Sequence, residues 1–539
     1  MTGGGDGRVR VLPAGSDGLL VEVDDLDEAL ALFAALRDAP PAGVAELVPA
    51  ARTVLVRFDP ALTRVDVLTD DLLSRPRTRS ATVDGPVVEV PVCYDGADLE
   101  EVAALCGFDA AEVVRRHTAQ PWTVAFTGFA PGFGYLAGGD PALDVPRRAE
   151  PRTSIPAGSV ALAGRFSGIY PRASPGGWQL IGRTGLALWD QRRADPALLS
   201  PGTRVRFVDA GPDAPVGADP GPPPPSGVAG RPALEVVAPG PLTVVVDLGR
   251  PGHAAQGVAR SGAVDRGALR RANRLVGNPS GTAGLEVAAG GLRVRALTDL
   301  VVAVTGARAP LLVLGDSDSN SDSGGGGDGD GVEPEPDRAF ALDRGTELHL
   351  GAPERGMLSY LAVSGGVAGE PVLDSLSTDL LSGVGPARLQ TGDVVRVGSA
   401  RDAVAAVDAD PGSPLPAADE VTEVDVVLGP RDDWFAPSVV QRFLDQEWTI
   451  TPRSNRVGLR LAGEPLVRSR TEELPSEGTV PGSVQVPPTG QPVVFTADHP
   501  VTGGYPVIAC VARHHQDRIG QVPVGGRVRF RAVAQDGGR

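Results

Sequence analysis

The 539-residue chain reads as a β-rich α+β protein, and three features of the sequence predict this. Its 71 glycines and 51 prolines punctuate short apolar runs without a collagen period, the pattern of many short strands joined by turns. The opening stretch, residues 8–60, reads strand, helix, strand: Asp24 is placed to cap a helix over 26–37, and the β-branched run Thr53–Phe58 suits a strand. A strand cassette then occurs twice. Pro156-Ala-Gly-Ser-Val160, Gly176-Gly-Trp-Gln-Leu-Ile181 and Pro201-Gly-Thr-Arg-Val-Arg-Phe207 return, in the same order, as Pro481-Gly-Ser-Val484, Gly503-Gly-Tyr-Pro-Val-Ile508 and Gly525-Gly-Arg-Val-Arg-Phe530. A repeated set of strands and turns implies a repeated fold unit, here two related β-barrels. Val394–Val397, after Thr391-Gly-Asp393, offers a closing strand for a third copy.

At this length the chain has room for roughly three or four domains of about 150 residues each. Residues 210–232, rich in Pro and Gly, read as a semi-stiff linker between two halves. Residues 316–337 are acidic and low in complexity, and they interrupt apolar runs, as a solvated loop inside a domain would. Between the strand expected at 87–92 and the first cassette, two short helices over 99–105 and 110–117 break at Gly107. A helical hairpin fits them better than a DNA reader, because the net charge of −17 repels phosphate backbones and anionic membranes. Neither nucleic acid nor membrane is expected as a partner. The N-terminus has no apolar signal core, and no stretch approaches the roughly 20 apolar residues of a membrane span, so a cytoplasmic location is expected. Cys93, Cys106 and Cys510 lie far apart and read as buried thiols.

All 50 Lys and Arg residues are arginine. Without lysine the chain has no P-loop amine for phosphates, no Schiff-base nucleophile and no attachment point for biotin. Any phosphate or carboxylate it holds must meet arginine forks, backbone N–H groups or a metal. No metal site is expected from the spacing of its ligand residues.

The densest motif is Thr127-Gly-Phe-Ala-Pro-Gly-Phe-Gly-Tyr-Leu136. Gly128, Phe129, Pro131, Gly132, Phe133 and Tyr135 suit either a pocket wall over a planar ligand or a tightly turned core loop. Arg147, Arg148 and Arg152 precede the turn formed by Pro156, Gly158 and Ser159, and Gln179, Arg183 and Thr184 follow it. Such forks suit an anionic ligand or surface ion pairs. His117 ends a helix, where it either favours the dipole or serves in acid/base chemistry. In the second half, Arg250 lies in the Asp247–His253 loop, and Ser261 leads to Asp265, an N-cap candidate for a helix carrying Asn273 and stopping near Gly277. Glu286, inside an apolar strand run, is either paired with an arginine or poised for proton transfer. Ser375–Asp379, Ser454, Arg456 and Asp498-His499 are further candidates. The sequence has neither GxSxG nor HExxH, which disfavours an autonomous serine hydrolase or zincin.

The motifs at Thr127–Leu136, residues 151–159 and Ser174–Thr184 resemble the B-type subunit of 5-oxoprolinase, a family also called allophanate hydrolase subunit 1 or the sporulation-kinase inhibitor family. Asp247–His253, Ser261–Asp265, Ala272–Pro279 and Pro481–Tyr505 are similar to the C-type subunit of 5-oxoprolinase, the carboxyltransferase-domain family of allophanate hydrolase subunit 2. Together they resemble a fusion of the two. The resemblance implies a small α+β domain over 1–85 and cyclophilin-like β-barrels over 86–209, 233–420 and 421–531. It implies a component of ATP-dependent 5-oxoprolinase, in which phosphorylation of the lactam carbonyl lets water open the ring to glutamate, with a separate A-type subunit as partner. ATP with Mg²⁺ is the implied co-substrate, and no biotin is covalently bound. His117, Glu286 and Asp265 are the acid/base candidates. The binding candidates are the Gly128–Tyr135 loop residues named above, Arg147, Arg152, Pro156, Gly158, Ser159, Gln179, Arg183 and Thr184 in the first half, and Arg250, Ser261, Asn273, Ser454, Arg456, Gln485, His499, Gly503, Gly504 and Tyr505 in the second. A biotin-dependent urea or amide carboxylase component is the rival chemistry, and a non-enzymatic inhibitor of a histidine kinase is a third class. Asn455 stands where the C-type motif usually has Asp, and the acidic insert replaces a short connection.

Overall fold

The computed structural model describes residues 9–75, 85–148, 150, 152–193, 195–212, 230–315, 331–399, 412 and 414–535. Most of the expected linker and acidic insert, with Pro151, lie outside these residues. The first unit is an antiparallel sheet ordered Arg10–Pro13, Gly18–Glu22, Thr53–Phe58, Val44–Pro49. Helices Leu26–Asp38 and Val65–Ser74 cover one face, where Ala29, Leu32, Leu36, Leu68 and Leu72 pack on Leu19, Val21, Val54 and Val56. The opposite face, with Leu20, Val48 and Leu55, packs on Ala254, Val480, Val501 and Cys510 of the second half. Burial on both sides explains why these strands are continuous apolar runs rather than alternating ones. Asp25, not Asp24, caps the first helix: its carboxylate accepts from Glu28 N at 2.9 Å, while Asp24 N donates back to the Glu28 carboxylate at 3.3 Å.

The second unit is a seven-stranded sheet ordered Gln179–Arg183, Ser159–Ala163, Phe166–Ile169, Gly134–Ala137, Trp122–Thr127, Arg204–Asp209, Val87–Val92. Its two edges meet through a pair of 2.8 Å backbone hydrogen bonds between Cys93 and Arg183, which closes the ring. Leu99–Cys106 and Ala110–Thr118 form the expected hairpin, and Gly107 terminates the first of them in the left-handed region. The last unit is a closed barrel of Val421–Leu428, Val507–Val511, Ser483–Gln485, Val493–Phe495, Gly458–Ala462, Trp448–Ile450 and Arg527–Ala532. In both barrels the first and last strands pair in parallel, Val87 beside Arg204 and Val421 beside Arg527, so the Arg-Val-Arg-Phe run has the same place in each.

Between the barrels, residues 231–397 build two five-stranded sheets packed face to face around Leu234, Val236, Val294, Leu285, Val302 and Leu361. Helix Arg266–Leu275 covers the outer face of one sheet, with Leu269, Ala272 and Leu275 on Val244, Val246 and Tyr360. Val394–Val397 pairs antiparallel with Arg231–Pro239. It therefore lacks the parallel pairing that closes the two barrels and is not a third copy of the cassette. Among the described residues, no helix is long and apolar enough to cross a membrane.

The duplication assigns His117. Trp122 donates its indole N–H to His117 O at 3.0 Å, and Trp448 donates to Phe443 O at the same distance. The His117 ring lies 4.2 Å from Phe207, and Phe443 lies 4.7 Å from Phe530. His117 thus holds the core position of a phenylalanine. It is fully buried, bonded to Tyr94 Oη at 2.8 Å and Ser167 Oγ at 2.9 Å, and burial pushes its pKa down to about 3. The expected acid/base role does not fit this position, because the buried ring has both nitrogens engaged and no exposed surface.

Between about pH 6.5 and about 3 the unfolded chain takes up a proton that folded His117 refuses, so stability falls as pH falls, by up to about 1.4 kcal/mol per pH unit. His117→Phe should cost about 1–3 kcal/mol at pH 8, by stranding the Tyr94 and Ser167 hydroxyls, yet lose less than the parent on acidification. Urea unfolding at pH 8 and pH 5 checks this. An unchanged gap between the two proteins would contradict the neutral core assignment.

Candidate functional site at the junction of the units

The loop after strand Trp122–Thr127 turns back through Phe129 and Gly132, both at positive φ, so that strand Gly134–Ala137 can pair with the strand it left. Its tip docks into the second half. Thr127 Oγ1 donates to Ala255 O, and Phe129 N donates to Thr502 Oγ1 at 2.9 Å. A Cβ on Gly128 would stand 2.2 Å from Thr502 Oγ1, so only glycine permits this approach. Phe133, Tyr135, Tyr170 and Trp178 pack edge to face and are at most 5% exposed. The rings are therefore core, and the loop is a docking element rather than an aromatic wall over a ligand.

The arginines expected to hold anions already hold carboxylates of this chain. Arg152 and Arg148 converge on Asp98, at 2.7 and 2.8 Å, and Asp98 also accepts from Leu180 N at 2.7 Å. Burial opposes its ionisation, but the Arg152 hydrogen bonds and the Leu180 N–H outweigh it and hold the Asp98 carboxyl below its usual range. Arg183 pairs with Asp95 at 2.9 Å and Arg147 with Glu473 at 2.7 Å, the latter across the seam between the halves. Ser159 closes its turn on Pro156 O at 2.8 Å, where Gly158 has φ +79, and Gln179 donates to Pro146 O at 3.3 Å. Thr184 N is bonded to Gly158 O at 2.8 Å. Each of these arginines is thus engaged by a carboxylate of the chain.

In the second half the candidates do converge. Arg456, 4% exposed, pairs with Glu286 through Nη1, with both oxygens of Asp498 at 3.0 Å through Nε and Nη2, and with Gly262 O at 2.8 Å. Glu286 also accepts from Val264 N at 2.9 Å and Tyr360 Oη at 2.8 Å. Asp265 N donates to that Tyr360 oxygen at 2.7 Å, and the Asp265 carboxylate caps the helix at Ala268 N and accepts from Gln521 at 2.8 Å. Burial, with the charge of Asp517 nearby, pushes Asp265 up to about 6. Ser261, at φ +55, donates to Asp498. Glu286 is thus the paired carboxylate rather than a free base.

Two charged loops back this network. Asp247 accepts from Ser375 and Ser377 hydroxyls and from Leu376 N, and buried Arg250 donates to Ser377 O. Asp379, at its edge, is pushed up to about 6 by burial and by the charge of Asp498. His499 lies 5.9 Å from the Phe495 ring, its Nδ1–H donates to Pro500 O at 2.8 Å, and burial pushes its pKa down to about 4. Asn273 instead bonds Thr282 O and Asn278 beyond its own helix, and Ser454 accepts from Arg460 N in a hairpin. Gln485 donates to Tyr505 O, and Gly504 lies against Arg147, so Gln485, Gly503, Gly504 and Tyr505 stand at the seam with the first barrel. Tyr360 and Gln521 carry no motif and become visible only as partners of Glu286 and Asp265.

Arg456→Met would leave two buried carboxylates without their cation. Such a loss costs about 3–5 kcal/mol, and the triple replacement with Glu286→Gln and Asp498→Asn should recover part of it. Urea unfolding of the three proteins is the check, and a near-neutral Arg456→Met would overturn the assignment.

Residues 9–199 match the family model of the carboxyltransferase domain, subdomains C and D, and residues 256–532 match that of subdomains A and B. The chain is 36% identical to the C subunit of 5-oxoprolinase from Escherichia coli K12 over 304 residues, 55% of this chain and 90% of that protein. It is 52% identical to the B subunit of 5-oxoprolinase from Escherichia coli O157:H7 over 124 residues, 22% of this chain, and the match spans 57% of that relative's length. Urea amidolyase of Saccharomyces cerevisiae is 30% identical over 57% of this chain, which corresponds to 17% of the yeast protein. The crystal structure of TTHA0988 superposes with a TM-score of 0.82 at 36% identity, covering 97% of this chain and 100% of that one. The chain belongs to the carboxyltransferase-domain family, its first half matching the B subunit and its second half the C subunit of 5-oxoprolinase.

Proposed function

We propose that this chain is the fused B–C component of an ATP-dependent 5-oxoprolinase, which opens a lactam acid to glutamate together with a separate A-type subunit. The observation that carries this reading is the seam. The motif loop of the B-like half is seated on the C-like half through Thr127, Phe129 and Thr502, so the two parts form one packed body rather than beads on a linker. In the reaction, ATP transfers its terminal phosphoryl group to the lactam oxygen, water attacks that carbon, and the C–N bond breaks to give glutamate, ADP and phosphate. This chain does not fit a triphosphate cradle at the expected positions. It has no lysine, and Arg147, Arg152 and Arg183 are each engaged by a carboxylate. The reading therefore assigns ATP and Mg²⁺ to the partner and the handling of the lactam to this chain.

The urea amidolyase relationship supports a second reading, transfer of a carboxyl group from carboxybiotin on another protein to urea or a related amide. The two readings differ in their products. Purified chain with an A-type partner, 5-oxoproline and ATP should release glutamate and ADP in equal amounts, and neither protein alone should do so. With a partner of demonstrated activity, absence of glutamate alongside carboxylation of urea by a biotinylated partner would replace the first reading with the second.

A further inference from the structure

A cavity of about 290 Å³ lies on the seam between the halves, beside the buried network and sharing Asp379 with its edge. The first barrel contributes Pro131, Pro171, Arg172 and Trp189–Gln191, and the loop over 378–388 contributes the opposite wall. Gln191 bridges the two by donating to Gly383 O at 3.2 Å. Thr378 Oγ1, Trp189 Nε1 and Gln191 Oε1 of this lining are buried without a hydrogen-bond partner, and the Asp379 carboxyl shares the space with the Ser382 hydroxyl beside it. Thr378, Asp379 and Ser382 are 2%, 1% and 8% exposed. Buried polar atoms are ordinarily satisfied, so such a cluster around one space marks groups that await a polar occupant.

The chemistry of the lining narrows that occupant. The Arg172 guanidinium lies over Gly383, where a Cβ would stand 2.6 Å from its Nη1, and it forms no ion pair among the described residues. An unpaired guanidinium calls for an anion. Asp190, the acid nearest along the chain, is taken by Arg192 at 2.8 Å. The Asp379 carboxyl and the Thr378 and Ser382 hydroxyls supply acceptor and donor side by side, the pattern that meets an N–H and a C=O on the same edge of a cis amide. Pro131, Pro171, Pro386 and Ala387 offer apolar surface for methylene groups. The volume sits at the small end of ligand pockets, which run from about 300 to 1,000 Å³. Neutral urea would leave Arg172 unanswered.

We propose that the seam cavity binds a small lactam acid, with its carboxylate on Arg172 and its ring amide between Asp379 and the Thr378 and Ser382 hydroxyls. The choice of a lactam rests on the 5-oxoprolinase reading, and the cavity is lined by both halves. Neither half contains the site alone.

Titration of the full chain with L-5-oxoproline, followed by calorimetry and by Trp189 fluorescence, should show saturable binding, with urea giving none. Arg172→Ala and Asp379→Asn should each weaken binding at least tenfold with an unchanged melting temperature. Arg172→Lys, which keeps the charge, should recover part of the loss. If both variants bind L-5-oxoproline and support glutamate release as the parent does, the cavity is not the site, although the reaction assignment stands. If binding depends on Arg172 and Asp379 but an active partner yields no glutamate, the site stands and the reaction assignment fails.

Discussion

The guanidinium of Arg456 is the interaction on which the arrangement of the second half depends. It comes from the last barrel, reaches Glu286 and Gly262 O of the middle unit, and is clamped from behind by Asp498 of its own barrel. Three charges at 4%, 2% and 0% exposure are tolerable only with every hydrogen-bonding position answered. Displacing either unit would strand an ion in low dielectric, so the network fixes how the middle unit and the barrel meet. Tyr360, Ser261 and the amides of Val264 and Leu380 complete it from separate segments.

The first half is attached by a different means. Its contacts with the second half include close backbone approach at Gly128 and Gly257, hydrogen bonds at Thr127 and Phe129, and the pairing of Arg431 with Glu22. Gly257 would place a Cβ 2.7 Å from Ala130 O, so each face of this contact has a glycine where the other comes closest. The apolar underside of the N-terminal sheet adds Leu20 and Leu55 against Val480 and Val501. A seam so constructed is specific in shape and leaves room between its edges for the cavity at Arg172 and Asp379.

The duplicated barrel shows how one scaffold serves two purposes. The Trp-to-backbone hydrogen bond and the ring beneath it recur in both copies, one ring being imidazole and the other phenyl. The copies diverge at the loop that follows the tryptophan strand. In the first copy it is the aromatic, glycine-rich docking loop, and in the second it carries Arg456 into the network.

The strand-rich class, the repeated unit, the helical hairpin at Gly107, the Asp265 cap and the carboxyltransferase-family resemblance were all legible along the chain. These follow from local rules: turn residues, capping side chains and periodicity act over a few residues and leave their mark there. What the charged and aromatic residues do was settled by contacts between distant segments. Arg152 looked free until Asp98, 54 residues earlier, was brought beside it, and Glu286 meets Arg456 across 170 residues. His117 became a core ring because burial removed its solvent. Asp379 acquired a pKa near neutrality because it was buried with Asp498 folded against it. Ion pairing and desolvation depend on distance and dielectric in the folded chain, and neither quantity is written in the order of the residues.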